Sequence, residues 1–274
     1  MEFKRHTLKD DGKTFTYWTL GNNKKQSLLI LPGLTGQYKD LAQFIHHLEK
    51  NNFIIIPDLP GWGESQQLDK KHNLTEYSHF LKKVLDDAEI DKTVIVGHCL
   101  GSLLAITFAK LFPTRVNKLF LITPPYEDGS MIFGVLKHMG ELSQHMPRAV
   151  QSLFFLWRNR FVGFAAAMFL LRFKSFRKRA YYSLKTLDRS NEVEDVVIDN
   201  TLSIYHFNWN VLKYLNQPIY VFHGERDLVI MPKKIEQLIE KLHGDIVFEL
   251  IPNAGHLPPI ETPETLARMI LEHI

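Results

Sequence analysis

The stretch from residue 93 to residue 105, TVIVGHCLGSLLA, decides how the rest of the sequence is interpreted. Its first four residues are β-branched, which predicts a buried strand, and a helical pattern begins near Leu100, so Cys99 falls at the turn between them. A sharp strand-to-helix turn has a strained backbone and leaves no room for side chains two residues to either side, a demand that Gly97 and Gly101 meet. The pattern indicates a nucleophile at Cys99. A lone cysteine is also common as a small buried hydrophobic residue, so the stretch alone leaves both interpretations open.

Short apolar runs alternate with longer helical patterns along the chain, which predicts an α/β fold with a mostly parallel sheet and helices on both faces. The apolar runs are residues 27–31, 53–57, 93–97, 118–123, 218–223 and 246–251, and residues 14–19 are predicted to form an earlier, edge strand. The helical patterns cover residues 38–51, 74–88, 100–112, 233–242 and 263–273.

One long segment interrupts this alternation, because no strand-like run appears from about Pro124 to Leu215. We therefore predict a core formed by residues 1–124 and 216–274, with residues 125–215 inserted after the sixth strand as a helical cap. The insertion contains nine lysines and arginines and no carboxylate between residues 148 and 187, in a chain whose formal net charge is only +3. Within it, the bases of residues 172–179 are either solvated or face an anionic membrane surface.

Two further polar residues follow predicted strands at the carboxyl end. Asp227 comes after the strand at residues 218–223, and His256 comes after the strand at residues 246–251. Open α/β sheets place their sites at this edge. The order along the chain is nucleophile, acid and base, at residues 99, 227 and 256. The sequence therefore predicts a catalytic triad of Cys99, His256 and Asp227.

Several motifs resemble those of the α/β-hydrolase superfamily. Residues 31–36, LPGLTG, are similar to the family's oxyanion loop, and residues 58–65, DLPGWGES, closely match its D-x-P-G-x-G-x-S turn. Residues 224–227 and 255–256 resemble its acid and histidine loops. Most members carry serine where this chain has Cys99, and a cysteine there is similar to dienelactone hydrolases and polyhydroxyalkanoate synthases.

The resemblance implies a hydrolase that cleaves a carboxylic ester or thioester through an acyl-Cys99 intermediate, without a cofactor. Backbone N–H groups of Leu100 and Leu34 would form the oxyanion hole, with Thr35 as an alternative to Leu34. An acyltransferase that passes the acyl group to an alcohol, amine or thiol is a second possibility, and a non-catalytic binding protein on the same fold is a third.

The remaining candidates have lesser roles. His98, Trp157 and Phe161 are predicted to line a pocket for a small molecule with an apolar acyl or aryl group. Asp58 is an alternative acid, although the turn that it begins gives it a local capping role. We expect no metal site, because the other histidines considered lack metal-ligand spacing; they are His46, His47, His72 and His79.

Cellular context follows from what the sequence lacks. Cys99 is the only cysteine, which excludes an intrachain disulfide. The first six residues, MEFKRH, are not followed by an apolar run of signal-peptide length, so we expect a cytoplasmic protein. The longest apolar stretch without charge, residues 161–171, is too short to span a bilayer. No nucleic-acid-binding motif accompanies the basic charge, so we expect no nucleic-acid partner.

Overall fold

The computed structural model describes residues 2–23, 25–33, 38–126, 206–242 and 245–274, together with residues 196, 199, 200, 203 and 204. These residues form a sheet of eight strands in the order β1-β2-β4-β3-β5-β6-β7-β8. The strands are β1 (Lys4–Asp10), β2 (Lys13–Leu20), β3 (Gln26–Leu31), β4 (Asn52–Pro57), β5 (Thr93–His98), β6 (Val116–Ile122), β7 (Ile219–Gly224) and β8 (Ile246–Ile251).

The sheet is parallel from β4 to β8 and antiparallel at its other end, where β2 pairs with both β1 and β4. This confirms the predicted fold class. The prediction that residues 14–19 form an edge strand is wrong, because β1 lies outside β2. The sequence of β1, KRHTLKD, contains only one apolar residue. An edge strand with an exposed face needs no apolar run, so hydrophobicity does not reveal it.

Six α-helices cover the sheet: α1 (Ala42–Leu48), α2 (Leu74–Asp87), α3 (Leu100–Leu111), α4 (Pro232–Leu242), α5 (Pro258–Glu261) and α6 (Pro263–Leu271). The described residues 196, 199, 200, 203 and 204 are also α-helical. The predicted helix at residues 38–51 is shorter than expected, since residues 38–41 form a 3₁₀-helix that precedes α1. Asn73 is the N-cap of α2, and its side chain accepts a hydrogen bond of 2.9 Å from the Glu76 N–H.

Both faces of the sheet are buried at its central strands β4, β3 and β5, as the uninterrupted apolar runs predict. In β5, Ile95 packs in a cluster that includes residues of α2 and α3. Its neighbours Val94 and Val96 pack in a second cluster that includes residues of α1 and α6. Successive side chains of a strand point to opposite faces, so the two clusters lie on opposite sides of the sheet. Because the faces of the sheet are covered, the carboxyl edge of the strands is the place that remains for a site.

Most of the predicted cap lies outside the described residues. The described part includes Asp199, whose Oδ2 accepts a hydrogen bond of 2.9 Å from the His72 backbone N–H. Asn200 is buried and donates through Nδ2 to the Tyr77 hydroxyl oxygen at 2.9 Å. These contacts attach the end of the predicted insertion to the core. Within the described ranges, every helix is too short or too polar to cross a membrane.

The passage from β5 into α3 is packed too closely for side chains at two positions. A Cβ atom on Gly97 would lie 2.3 Å from the carbonyl oxygen of Gly101. One on Gly101 would lie 2.3 Å from the carbonyl oxygen of Leu31, at the end of β3. Neither glycine has a positive φ, so space rather than backbone conformation requires glycine here.

We expect Gly101→Ala to lower the free energy of unfolding by about 3 kcal/mol, at the upper end of overpacking effects, because backbone atoms of another strand cannot move aside. Gly12→Ala is the matched control: Gly12 has a φ of 73° but no atom within 4 Å of an added Cβ, so it carries only the conformational cost of about 1 kcal/mol. Urea denaturation measures both. A smaller loss in Gly101→Ala than in Gly12→Ala would contradict the packing argument.

Candidate active site

Cys99 lies at the carboxyl end of β5 in a conformation that non-glycine residues rarely adopt. Its φ is 49° and its ψ is −118°. The strained backbone is held on both sides: the Cys99 N–H donates to the carbonyl oxygen of Ile122 at 2.9 Å, and its carbonyl oxygen accepts from the Ser102 N–H at 2.8 Å. Strain of this kind persists only where the surroundings enforce it, and it is concentrated at functional sites.

His256 and Asp227 lie together at the same edge of the sheet. His256 is in the loop after β8, and its Nδ1 is 2.8 Å from Oδ2 of Asp227, in the loop after β7. The two loops are joined by the Arg226 N–H, which donates to the carbonyl oxygen of Ala254 at 2.8 Å. Asp227 is 2% exposed, His256 8% and Cys99 7%, so all three groups interact in a largely dehydrated environment.

Asp227 is surrounded by hydrogen-bond donors. Its Oδ1 accepts from the backbone N–H groups of Val229 at 2.7 Å and Ile230 at 3.1 Å. Its Oδ2 is approached by His256 and, at 3.2 Å, by Nε2 of the fully buried His223. Burial alone would raise the pKa of Asp227, but the charge of His256 and the hydrogen bonds of both histidines hold that pKa well below its usual range. The carboxylate is therefore ionised at neutral pH.

Cys99 is near enough to His256 to contribute to the pKa of the imidazole. Burial alone would lower the pKa of His256, but the neighbouring Asp227 charge and hydrogen bond, with a further contribution from Cys99, raise it well above its ordinary value of 6.5. The imidazole is therefore suited to hold a proton received from the thiol.

The backbone carbonyl of His256 is held by two buried side chains. Nε2 of His98 lies 2.8 Å from this oxygen and therefore donates to it, and the Thr123 hydroxyl donates to it at 3.1 Å. Burial, together with the nearby His256, lowers the pKa of His98 to about 4, so His98 is neutral near pH 7. The contacts of His98 thus lie with the base loop, and its predicted place in a substrate pocket stays a prediction.

One of the two predicted oxyanion donors is within the described residues. Leu100 is the first residue of α3, and the first N–H groups of a helix have no partner within the helix. Gly33 lies beside Cys99, since a Cβ atom built on it would be 3.1 Å from Cβ of Cys99. Leu34 and Thr35 follow directly but lie outside the described residues, as do Trp157, Phe161 and residues 172–179.

Asp58, the alternative acid, is occupied elsewhere. Its Oδ2 accepts from Nε1 of Trp18 at 3.2 Å and from the Glu64 N–H at 3.1 Å, which fits the capping role expected of its turn. Burial raises the pKa of Asp58. The described contacts of His256 with a carboxylate involve Asp227.

Sequence reasoning missed His223 and Thr123, the two residues that support the acid and the base from neighbouring strands. Each lies near or directly after the end of an apolar strand, and a single polar residue at such a position is only weak evidence for a functional role. His223 is four residues before Asp227, a spacing that could have drawn attention to it.

Comparison with known proteins agrees with the fold. A model of the alpha/beta hydrolase fold family matches residues 26–263. A protein of Bacillus subtilis (strain 168), provisionally named 2-succinyl-6-hydroxy-2,4-cyclohexadiene-1-carboxylate synthase, is 23% identical over 275 residues, which cover 96% of each chain. A provisionally named esterase/lipase of Mycoplasma pneumoniae is 23% identical over 89% of this chain and 87% of its own. The solved structure of a thermophilic esterase from Thermogutta terrifontis has a TM-score of 0.76 at 20% identity, covering 99% of this chain and 97% of that one.

The pH dependence of stability tests the charge pair. The pKa of Asp227 is lowered in the folded state, so its stabilisation is present above its ordinary value of 3.8 and is lost as the pH falls towards the folded value. The pKa of His256 is raised, so its stabilisation is complete below 6.5 and is lost as the pH rises through the folded value. We expect the stability difference between wild type and Asp227→Asn to be largest between these two values and to shrink on either side, as measured by urea denaturation.

Glu249→Gln provides the control, because Glu249 also faces a histidine, His273 at 3.3 Å, but is partly exposed. Its stability difference from wild type should vary little over the same range. A profile for Asp227→Asn as flat as that of Glu249→Gln would contradict the assignment of a buried charge pair.

Proposed function

This chain belongs to the α/β-hydrolase family, and on that basis we propose that it cleaves a carboxylic ester or thioester through an acyl-enzyme formed on Cys99. The observation that carries the proposal is the buried pair of Asp227 and His256, 2.8 Å apart at the carboxyl edge of the sheet, with Cys99 on the strained turn after β5 and near enough to affect the pKa of His256. Esters also fit the esterase/lipase name of one relative of similar length.

In the first half of the reaction, the thiol proton of Cys99 passes to His256, and the sulfur attacks the carbonyl carbon of the substrate. The bond between that carbon and the leaving group then breaks. His256 gives its proton to the departing oxygen or sulfur, so an alcohol or thiol leaves and a thioester remains on Cys99. In the second half, water gives a proton to His256 and its oxygen attacks the thioester carbon. The bond between that carbon and the Cys99 sulfur then breaks, the carboxylic acid leaves, and His256 returns the proton to the sulfur.

Asp227 has two roles in this scheme. Its hydrogen bond to Nδ1 of His256 fixes the ring so that the opposite nitrogen is available to the thiol and the leaving group. Its negative charge stabilises the imidazolium that exists between the two proton transfers, in agreement with the raised pKa of His256. A buried carboxylate performs this role well because little water screens it.

The oxyanion formed during each attack needs donors beside the sulfur. We assign this role to two backbone groups: the N–H of Leu100, at the start of α3, and the N–H of Leu34. Each such donor contributes about 3 to 4 kcal/mol to lowering the barrier. Because both are backbone groups, replacing either leucine side chain should affect substrate fit more than the oxyanion hole.

Single substitutions in the triad should separate these roles. We expect Cys99→Ala and His256→Ala to abolish hydrolysis of p-nitrophenyl butyrate, and Asp227→Asn to lower kcat by about 10⁴-fold because the ring loses its orientation. The measurement is steady-state release of p-nitrophenolate by protein whose circular dichroism spectrum matches that of wild type.

Asp58→Asn is the matched control, since it makes the same carboxylate-to-amide change at the other buried aspartate of a strand end. It should leave kcat within a fewfold of wild type. Loss of turnover in Asp58→Asn, with activity kept in Asp227→Asn, would show that the acid has been assigned wrongly.

The acyl-enzyme itself can be observed by intact-mass spectrometry. Rapid quenching in acid after mixing with p-nitrophenyl butyrate should reveal a population heavier by one butyryl group, because a thioester is stable in acid. The adduct should be missing from Cys99→Ala. An adduct that persists in Cys99→Ala would place the nucleophile elsewhere, and the absence of both adduct and turnover in wild type would favour the non-catalytic alternative.

The same assay distinguishes hydrolysis from acyl transfer. When an alcohol, amine or thiol acceptor is added, it competes with water for the acyl group on Cys99. For a hydrolase, butyrate remains the main product at millimolar acceptor. Partition into the acceptor adduct under these conditions would favour the acyltransferase.

A further inference from the structure

A second histidine contacts the acid of the candidate triad. His223, in β7, has no exposed surface, and its Nε2 lies 3.2 Å from Oδ2 of Asp227, the same oxygen that is bonded to His256. The mechanism above makes no use of this ring. A fully buried imidazole beside a carboxylate is costly to maintain unless its polar atoms are paired, so its contacts deserve an explanation.

The hydrogen-bond geometry determines where His223 carries its proton. Nε2 lies 2.9 Å from the carbonyl oxygen of Ile230, which can only accept. Nε2 therefore carries a proton that it donates to the Ile230 carbonyl, and the same nitrogen lies 3.2 Å from Oδ2 of Asp227. Nδ1 is buried and has no hydrogen-bond partner among the described residues.

These contacts close a ring around Asp227. His223 holds the carbonyl of Ile230, while the N–H of Ile230 donates to Oδ1 of Asp227 at 3.1 Å. His223 thus acts on both carboxylate oxygens, directly on Oδ2 and through Ile230 on Oδ1. A carboxylate held in this way cannot rotate about its terminal bond without breaking hydrogen bonds, and because Asp227 is only 2% exposed, their loss would leave buried polar groups unpaired. The direction in which Oδ2 faces His256 is fixed as a result.

We propose that His223 is a positioning residue, which sets the orientation of Asp227 towards His256 and thereby the reactivity of Cys99. The inference rests on the proposed function, since it assigns a task within the same triad. His223 touches Asp227 rather than the reacting atoms. Its loss should therefore lower kcat and leave KM nearly unchanged.

Two substitutions of His223 test the role of its N–H group. His223→Leu removes the donor, and we expect kcat for p-nitrophenyl butyrate to fall by about 10- to 100-fold, as for the loss of a hydrogen bond to a charged group. His223→Gln can present an amide N–H near the position of Nε2 and should recover most of this loss. Val221→Ala, a buried change in the same strand away from Asp227, should leave kcat unchanged after correction for folded protein.

A double-mutant comparison identifies the route by which His223 acts. If its effect passes through Asp227, His223→Leu should cause little further loss in an Asp227→Asn background. A purely structural role would instead lower activity by the same factor in both backgrounds, and that result would overturn the proposal. Wild-type kcat in His223→Leu would overturn it as well.

Alkylation by iodoacetamide provides a readout that does not depend on ester hydrolysis, because Cys99 is the only cysteine to be labelled. The rate in His223→Leu should fall towards that of His256→Ala. If wild type cleaves no ester yet shows this pattern, the proposed reaction is wrong while the role of His223 stands. If wild type hydrolyses the ester, but His223→Leu hydrolyses it and is alkylated as fast as wild type, the inference fails and the function stands. Should His223→Leu not fold, His223→Asn replaces it, since its shorter amide cannot reach Asp227.

Discussion

The close approach of α3 to the ends of β3 and β5 is the constraint on which the rest of the site depends. Because Gly97 and Gly101 lack side chains, α3 can begin almost immediately after β5. Cys99, the single residue between the strand and the helix, adopts a positive φ. This geometry turns Cys99 out of the sheet while its backbone remains bonded to β6. The cost of the strained residue is offset by packing on both faces of the sheet, where the strands contribute fully buried side chains.

The charges of the site depend on the same parallel arrangement. Parallel strands bring their carboxyl ends to one edge, so loops separated by more than a hundred residues along the chain meet there. Burial would discourage a charged carboxylate, yet Asp227 accepts three hydrogen bonds, has Nε2 of His223 at 3.2 Å, and stays ionised. The ionised carboxylate in turn stabilises a protonated His256. The electrostatics of the pair are therefore a property of the loops that surround it rather than of the two side chains alone.

Much of this could be predicted from the sequence because the relevant signals are local. Apolar runs locate β3 to β8 to within one or two residues, and the glycine spacing locates the turn at Cys99. β1 escaped detection because its exposed face carries lysine and arginine where a buried strand would carry valine. The triad assignment, made from strand ends and chain order, stays a prediction, although the structure brings its members together.

The supporting contacts of the site could not be predicted, since they join residues that the sequence gives no reason to pair. His98 and the carbonyl of His256 are 158 positions apart, and Thr123 reaches the same oxygen from 133 positions away. Every residue has a backbone carbonyl that can accept a hydrogen bond, so the residue type at the accepting position does not reveal such a bond. The contact between His223 and Asp227 could not be predicted either, because the sequence suggests a role for Asp227 that does not require a second histidine.

The two bonds to the His256 carbonyl have a consequence for how the protein is made. His98 is the last residue of β5, and Cys99 and Thr123 directly follow β5 and β6, whereas the oxygen that His98 and Thr123 hold is contributed by residue 256. During synthesis on the ribosome, the Cys99 thiol is therefore made long before His256. The two buried side chains acquire their hydrogen-bond partner only after β8 has been made.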